Sequence, residues 1–583
     1  MQDQGNDQKN FILAMLLSGL VLMGYWFFYG QPLEEMAREN AALELSQDTN
    51  KDIDLSNRNQ TIKTKGLTGQ RVNIETASIS GSFNTEGSRF DDIALKNYNK
   101  TLDEEDGSVI LLAQEGKEKS AYLMDNWTNI NGGNGSDTKW TLVSGETLTE
   151  TSPVFLEYLK DELLVQRKVT IDDKFLITLS DKVVNLSTSE KTITRVGVSR
   201  QHNLPDDLTN FFIVQEGPIS LVDGKYHDQK YKGLKKKSNW NETGKAGWAG
   251  LTDKYWFIAN IAPQGQTIKV NYDFKTINTQ DVYETSYALS PLTLTSGSSV
   301  ESISHLYVGP KERSTLVNYE SQGIAEMERA IDWGAMRLIV RPISWTLSFL
   351  GSKLGNYGVG ILVLTFFIKL FMFPLFNKQY ESQAKMKKVQ PKVKRLQELY
   401  KDDRMKMQQE MMGLYRKEGV NPAAGCLPII PTIFVFFSLY KAVFINIDLR
   451  HEPFFGWIRD LSAKDPLSIL NGFGVLPWEA VPGPIPSILA IGPLAILYGI
   501  SMSLMYTLTP PAGDPMQAKI FKFMPWIFMF ILSPFAAGLL IYWVWNNILS
   551  FGQQYYITRK FKVDTPVDEF WRKITGKNTS GNE

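Results

Sequence analysis

Hydrophobic and polar residues are distributed differently along the first, middle and last parts of this chain. An uncharged apolar run covers Phe11 to Tyr29, and long apolar runs return only after residue 355. Between about Thr61 and Gly309, apolar and polar residues alternate over short stretches that end at Gly, Asn, Asp or Ser. Runs of about 20 apolar residues predict membrane-spanning helices, and period-two alternation predicts β-strands. The pattern therefore predicts a multi-domain membrane protein with a helical bundle and an all-β domain.

Six membrane spans follow from the apolar runs. They are predicted at 11–29, 356–376, 426–446, 487–508, 523–536 and 538–556, the last two separated by a tight turn at Pro534. We interpret residues 1–30 as an uncleaved anchor rather than a signal peptide, because no A-x-A-like cleavage site follows the apolar run. Residues 31–60 have little apolar content and predict a flexible linker.

The period-two region predicts one large antiparallel β-sandwich over residues 61–322. Its stretch VTIDDKFLITL, residues 169–179, shows the alternation of two successive strands. No convincing catalytic set is visible in this region, although dispersed carboxylates can still meet in the fold. An open sheet face that binds a glycan or a polypeptide is one hypothesis, and a plain scaffold surface is favoured over it. The lysine-rich run at 232–238 predicts a solvated hairpin tip.

Residues 323–355 predict an amphipathic helix on the membrane surface. Its apolar positions follow an approximately helical spacing, and Pro342 predicts a bend. Those positions are Ile324, Met327, Ile331, Met336 and Ile339.

Charge distribution predicts the orientation of the chain. The 583 residues contain 62 Lys and Arg and 62 Asp and Glu, but the net charge is −1 over residues 1–30, −10 over 31–330 and +11 over 331–583. The segment 377–420 carries twelve basic and six acidic residues, which predicts a cytoplasmic location. With six spans, both termini are then cytoplasmic and residues 31–355 lie largely outside. The tail at 561–583 is cytoplasmic in this arrangement.

Metal and disulfide chemistry have little support in the sequence. It contains one Cys and four widely separated His, which exclude a disulfide framework and argue against a metal centre. We therefore predict no metal site.

Lys369 is the candidate functional residue, because it lies inside the second predicted span. A charge at that depth costs a few kcal/mol or more and marks a functional site by default. Snorkelling toward the membrane surface is the alternative, and for Lys441 near the end of span three it is the preferred interpretation. Other polar side chains in the spans either line a hydrophilic groove or make interhelical hydrogen bonds. They are Thr365, Ser438, Ser501, Ser503, Tyr506, Tyr542, Asn546 and Asn547.

The segment 377–422 predicts a cytoplasmic helical hairpin with its turn near 401–404. Its basic residues suit anionic lipid headgroups or ribosomal RNA, and no base-reading motif for sequence-specific nucleic acid is present. Its methionines form either an adaptable surface for partners or an ordinary seam between the helices. The candidate contact residues are Lys387, Lys388, Lys392, Lys394, Arg395, Arg404, Met411 and Met412.

Several stretches of the chain resemble the YidC/Oxa/Alb family of membrane protein insertases, in its Gram-negative form with a large periplasmic domain. They are FIKLFMFPLFNKQYESQAKMKKVQPK, QQEMMGLYRKEGVNPAAGCLPIIPT, LRHEPFFGWIRDLSAKDP, TPPAGDPMQAKIFKFMPWIF, GLLIYWVWNNILSFGQQYYI and, in the β domain, GWAGLTDKYWFIANIAP. Their order and spacing cover nearly the whole chain.

The resemblance implies an inner-membrane insertase and chaperone that is not an enzyme and needs neither ATP nor a cofactor. It implies a galactose-mutarotase-like supersandwich and, at 356–560, a core of five transmembrane helices. These helices enclose a groove open to cytoplasm and lipid, where a cation attracts acidic residues of the incoming chain. The eight residues predicted for this groove are Lys369, Thr365, Ser501, Ser503, Tyr506, Tyr542, Trp543 and Asn546. Implied partners are nascent inner-membrane proteins, the Sec translocon with its accessory proteins, the ribosome and anionic phospholipids. Two positions depart from the family pattern: Lys369 replaces a frequent Arg, and Trp543 replaces a frequent Tyr.

Two other classes stay open from the sequence. A transporter or channel would favour paired intramembrane charges and internal repeats, whereas one central charge and no repeat are visible. An enzyme acting on envelope glycans through the β domain is the second alternative.

Overall fold

The computed structural model describes residues 69–562 apart from several gaps. The gaps are 115–116, 118, 130–133, 206–207, 210–213, 278, 402, 420–428, 477–488 and 510–514, and Thr565, Val567, Asp568, Arg572 and Ile574 are also described. The predicted anchor, the linker and most of the tail lie outside these residues.

Twenty strands form the domain that follows residue 70. They are β1 (Arg71–Glu75), β2 (Ile79–Asn84), β3 (Arg89–Asn99), β4 (Ser108–Leu112), β5 (Ala121–Asn129), β6 (Thr141–Ser144), β7 (Thr147–Leu148), β8 (Val154–Lys160), β9 (Leu163–Ile171), β10 (Leu176–Asn185), β11 (Lys191–His202), β12 (Gly217–Val222), β13 (Lys225–Asp228), β14 (Trp240–Lys245), β15 (Trp248–Thr252), β16 (Trp256–Ile261), β17 (Thr267–Ile277), β18 (Gln280–Leu289), β19 (Leu292–Leu294) and β20 (Ser299–Pro310).

The strands pair into two large sheets. One has the order β14-β17-β18-β11-β5-β3-β2-β1-β7, with β4 on β3 and β19 on β11, and the other runs β13-β12-β15-β16-β20-β10-β9-β8-β6. The pairing is antiparallel except between β1 and β7. The alternation predicted at 169–179 is present, because Val169, Ile177 and Leu179 are fully buried. The predicted β-sandwich is confirmed.

Four charged side chains lie fully buried between the sheets. Arg167 donates to both carboxylate oxygens of Asp181 at 2.7 Å, and Arg195 donates to Asp125 at 2.6 Å. Arg195 also lies 3.1 Å from Asp181, which joins the two pairs across the sandwich. We call these four residues the buried ion network. Burial of a charged side chain is costly unless the charge is paired and hydrogen-bonded. Each of these four side chains meets both conditions.

Ten α-helices lie in the described part of the chain. They are α1 (Tyr231–Lys236), α2 (Arg313–Ser321), α3 (Arg337–Leu354), α4 (Tyr357–Phe371), α5 (Phe373–Leu399), α6 (Arg404–Lys417), α7 (Ile429–Ile445), α8 (Pro493–Leu508), α9 (Pro515–Leu532) and α10 (Ala537–Lys560). The run at 232–238 forms α1 rather than a hairpin tip, because Tyr231 and Leu234 bury one face of a helical turn.

The segment 323–355 is not one continuous amphipathic helix. Met327–Ala330 forms a 3₁₀ helix, and α3 starts only at Arg337. Ile324, Met327 and Ile331 belong to the core shared with the sandwich. In α3, by contrast, Leu338 and Trp345 are 84% and 55% exposed. Only the second half of the segment therefore presents an apolar face outward.

The helical C-terminal region is confirmed, but helix length alone does not confirm six spans. Among the described residues, no single helix is both long and apolar enough to cross a membrane. Helices α4 and α5 satisfy that test only together, and they meet at a bend of 68°. The bend falls where Pro374 occupies the first turn of α5, a position that proline tolerates because its missing N–H has no intrahelical partner there.

Candidate functional site

A small cavity lies among α4, α5, α7 and α10. It has a volume of about 20 Å³, enough for about one water molecule. Four of the eight residues predicted for the groove line it: Thr365, Lys369, Tyr542 and Asn546. The other lining residues are Ile368, Met372, Phe376, Val435 and Leu439. The structure therefore brings half of the predicted set together around Lys369.

The ammonium of Lys369 is held by neutral groups. Its Nζ donates a 2.7 Å hydrogen bond to Ser550 Oγ and lies 4.3 Å from the centre of the Phe376 ring. Within the described residues, no carboxylate lies within ion-pair distance of this ammonium. A hydroxyl and an aromatic face stabilise a cation without cancelling its charge. The site therefore keeps a net positive charge beside the cavity.

Ser550 belongs to a polar stripe along α10 that the sequence analysis missed. Asn547 donates to Ser501 Oγ at 3.1 Å, Gln554 to Gln383 at 2.9 Å and Gln553 to Asn377 at 3.0 Å. These positions continue the helical spacing of Asn546 toward the end of α10. Treating that spacing as one continuous helix face would have found Ser550.

The remaining predicted groove residues do not line the cavity. Ser501 makes the interhelical bond to Asn547, and Ser503 and Tyr506 lie further along α8. Tyr506 packs against the hydrophobic core of the bundle. For Ser501, the alternative of an interhelical hydrogen bond is therefore the one that the geometry supports.

Trp543 lies in an aromatic cluster instead of lining the cavity. Its ring stacks on Phe436 at 5.7 Å with an interplanar angle of 13°, and it is 5% exposed. Tyr440, Tyr498 and Phe535 complete the cluster. Its position on α10 explains this, because consecutive residues of a helix point about 100° apart and Tyr542 occupies the cavity side. Trp543 thus packs on the side of α10 that does not line the cavity.

Residues 446–476 cover the helix ends that face the sandwich. The backbone N–H of Ala537 donates to Ala463 O at 2.7 Å, and that of Gly538 donates to Leu461 O at 2.9 Å. A Cβ at Gly538 would lie 3.0 Å from Leu461 O, so this close approach favours glycine. Asp465 accepts a 3.1 Å bond from Leu494 N in the first turn of α8. These contacts hold the loop against the first turns of α8 and α10.

Helices α5 and α6 pack as a pair, joined by residues 400–403. Val389 and Val393 form a seam with Met411, Leu414 and Tyr415. Met411 is therefore a seam residue, whereas Met412 is 42% exposed.

The basic side chains of this pair differ in their surroundings. Lys388, Lys394 and Arg395 are exposed. Lys392 pairs with Glu418 at 2.6 Å, and Lys387 Nζ lies 3.5 Å from the carbonyl of Thr507 at the end of α8. The side chain of Arg404 lies outside the described atoms.

The two halves of the chain match two family models. Residues 71–346 match the YidC periplasmic domain, and residues 349–565 match the 60Kd inner membrane protein family. Together they describe an inner-membrane protein that carries a large β domain before its helical core.

Full-length relatives give the particular family. The membrane protein insertase YidC of Maricaulis maris is 40% identical over 98% of this chain and 99% of its own length. The protein of that name from Dinoroseobacter shibae is 38% identical over 96% of each chain. The chain therefore belongs to the YidC family of membrane protein insertases, which confirms the resemblance. This is a family of insertases, and the enzyme and transporter alternatives are set aside.

The crystal structure of an active YidC insertase with its first transmembrane domain resolved is 15% identical, covers 83% of this chain and 92% of that chain, and has a TM-score of 0.35. A galactose mutarotase related enzyme from Lactobacillus acidophilus is 8% identical, covers 41% of this chain and 97% of that chain, and has a TM-score of 0.29.

Proposed function

We propose that this chain inserts client membrane proteins at the cavity beside Lys369. The observation that carries the proposal is a partly buried cation whose contacts are a hydroxyl and an aromatic ring. An acidic side chain of an incoming client would gain a charge partner there without first breaking an ion pair. Because the contacts of Lys369 are neutral, the attraction is available to any client with a carboxylate near its translocated end.

The mechanism rests on differential solvation. Polar groups of Asn546, Ser550 and the Gln383–Gln554 pair continue from the cavity along α5 and α10, which shortens the apolar distance that a polar client segment must cross. The client's apolar helix then leaves sideways, driven by its transfer into lipid at about 25 cal/mol per Å². Its contacts with the groove are weak, so release is not opposed.

The topology of the proposed insertase has six spans. The anchor at 11–29 precedes the sandwich, the joined helices α4 and α5 begin the core, and α7 to α10 complete it. Both termini and the α5–α6 pair are cytoplasmic, and residues 31–355 are periplasmic. The supporting observation is the excess of Lys and Arg in 377–420.

The α5–α6 pair is the proposed receiving surface. Exposed Lys388, Lys394 and Arg395 offer positive charge to anionic phospholipids or to ribosomal RNA. Exposed Met412 and Met405 add a deformable apolar surface for nascent chains. Partnership with the Sec translocon and its accessory proteins belongs to the same proposal and follows from the family resemblance.

Insertion into reconstituted vesicles without ATP tests the function. The client is a short membrane protein with an acidic tail, and translocation of the tail is scored by protection from external protease. Wild type should insert it, Lys369→Arg should retain activity, and Lys369→Ala should lose most of it. Insertion by empty vesicles at the same level would overturn the insertase proposal, and full activity of Lys369→Ala would overturn the electrostatic role.

A deletion of residues 61–310 separates the sandwich from the insertion step. We expect the shortened chain to keep insertion activity, because the cavity and the polar stripe lie wholly in α4 to α10. Loss of insertion by a correctly folded deletion variant would place part of the activity in the sandwich.

A further inference from the structure

The sequence favours snorkelling of Lys441 toward the membrane surface. The structure instead places its side chain against a carboxylate. Its Nζ forms a 2.6 Å ion pair with Asp332 Oδ2, and the two side chains are only 9% and 17% exposed. Lys441 lies near the sandwich-side end of α7. Asp332 lies in the segment that connects the sandwich to α3.

Asp332 joins the sandwich to the helical core through a single carboxylate. The oxygen that binds Lys441 also accepts a 2.8 Å hydrogen bond from the backbone N–H of Gln215, just before β12. The other oxygen accepts a 3.1 Å bond from Gly334 N. Gly334 has a φ of +64°, which glycine adopts without strain, and a Cβ there would lie 3.7 Å from Lys441 Cε. The turn at 332–334 therefore packs closely against the side chain of Lys441.

Further contacts hold the same end of α7. Ser438 Oγ lies 3.8 Å from Met336 Sδ, and the Lys254 ammonium lies 4.1 Å from the centre of the Phe444 ring. Lys254 belongs to the β15–β16 turn of the GWAGLTDKYWF stretch, to which the proposed function gives no role. Ala442 and Ile445 pack into the core of the sandwich.

Helix α7 carries this position to the cavity. It is continuous from Ile429 to Ile445, and it contributes Val435 and Leu439 to the wall beside Lys369. Val435 lies six residues, or about 9 Å, from Lys441 along the helix. A displacement of the sandwich-side end therefore moves the cavity wall with it.

We propose that Asp332 is a positioning residue for insertion, whose ion pair with Lys441 sets α7 against α10 and so sets the width of the cavity at Lys369. The inference rests on the proposed function of that cavity. A deletion of 61–310 leaves Asp332 and Lys441 in the chain, but it removes the backbone N–H of Gln215 that also binds Asp332.

Spin labels on the full-length chain in vesicles test the position of α7 directly. The labels replace Ile433 on α7 and Ile548 on α10, both exposed, in a Cys426→Ser background. We expect Asp332→Asn and Lys441→Met each to shift the label-to-label distance by about 1–2 Å or to broaden its distribution. The double variant should shift the distance no further than either single variant, because both substitutions remove the same ion pair. Lys441→Arg should restore the wild-type distance.

The matched control is Glu284→Gln, which breaks the ion pair with Arg200 within the sandwich. It should change neither the distance nor insertion. Asp332→Asn should lower insertion by about threefold to tenfold. An unchanged distance in Asp332→Asn would overturn the positioning role, and a changed distance with full insertion would overturn its importance for insertion. If the parent chain itself inserts no client, the proposed function fails, while the distance measurements still decide the role of the ion pair.

Discussion

The buried ion network of the sandwich and Lys369 of the helical core differ in the partners that their charges have. In the buried ion network, each charged side chain forms an ion pair with another member. The two carboxylates accept further hydrogen bonds from Trp127, Ser304 and Tyr287. In the helical core, the ammonium of Lys369 contacts only the hydroxyl of Ser550 and the ring of Phe376 among the contacts that the described residues show. The first arrangement is closed to any ligand, since every charge is already paired. The second leaves a charge that a client carboxylate can still neutralise.

The comparison separates structural charges from functional ones. A buried pair contributes little net stability compared with apolar residues of the same volume, but breaking it leaves an uncompensated charge and costs several kcal/mol. Loss of a charge from the buried ion network should therefore destabilise the fold. Loss of the charge at Lys369 should remove activity and leave the fold in place.

Asp181→Asn should give the largest effect on stability. It leaves Arg167 and Arg195 without one of their two carboxylates, at a cost of about 3–5 kcal/mol of unfolding free energy. Denaturant unfolding of the full chain in detergent, followed by tryptophan fluorescence, measures the loss. Glu75→Gln removes the exposed pair with Lys96 and should cost no more than about 1 kcal/mol. Equal losses in the two variants would show that burial does not set the cost.

Lys369→Glu should give the largest effect on activity. Reversal of the charge turns attraction for an acidic client tail into repulsion, and we expect insertion to fall by about tenfold to a hundredfold. A client whose tail carries Asn and Gln in place of Asp and Glu should lose much less. The unfolding free energy should stay close to that of wild type. Equal losses for the two clients would contradict a role for client carboxylates.

His305 makes the stability of the sandwich depend on pH. Burial first, and then the positive charge of Arg195, lower its pKa from 6.5 to about 4. The unfolded chain therefore binds more protons than the folded one between these values, and stability falls as the pH drops from about 6.5 toward 4. We expect a loss of about 2 kcal/mol from this residue over that interval. Unfolding curves at pH 7 and pH 4.5 measure it.

His305→Gln is the control for the pH effect. Its amide cannot titrate but can keep a hydrogen bond with Thr178 Oγ1, which lies 2.9 Å from the histidine Nδ1. The variant should lose less stability than wild type between pH 7 and pH 4.5. A loss as large as that of wild type would assign the acid sensitivity to other groups.

The sequence predicts the sandwich and Lys369 because each leaves a local signal. Alternation at 169–179 needs only neighbouring residues, and a lysine within an apolar run is visible by itself. The buried ion network leaves no such signal, because Asp125 and Arg195 are 70 residues apart and meet only through the pairing of β5 with β11.

The contacts of Lys369 and Lys441 show the same limit. Ser550 is 181 residues from Lys369, and Asp332 is 109 residues from Lys441. Neither partner is visible from hydropathy. The sequence favours snorkelling for Lys441 because a lysine near the end of a predicted span has water within reach. In the structure, the turn at 332–334 supplies a carboxylate instead.

Ser550→Ala should give the smallest effect and tests how Lys369 is held. The substitution removes the 2.7 Å hydrogen bond from the ammonium but keeps its charge and its place over the Phe376 ring. A hydrogen bond to a charged group contributes about 1.5–3 kcal/mol, but water in the cavity replaces part of it, so we expect insertion to fall by about twofold to fivefold. Ser550→Thr keeps the hydroxyl and should restore activity. A loss as large as that of Lys369→Ala would show that the orientation of the ammonium, rather than its charge, limits insertion.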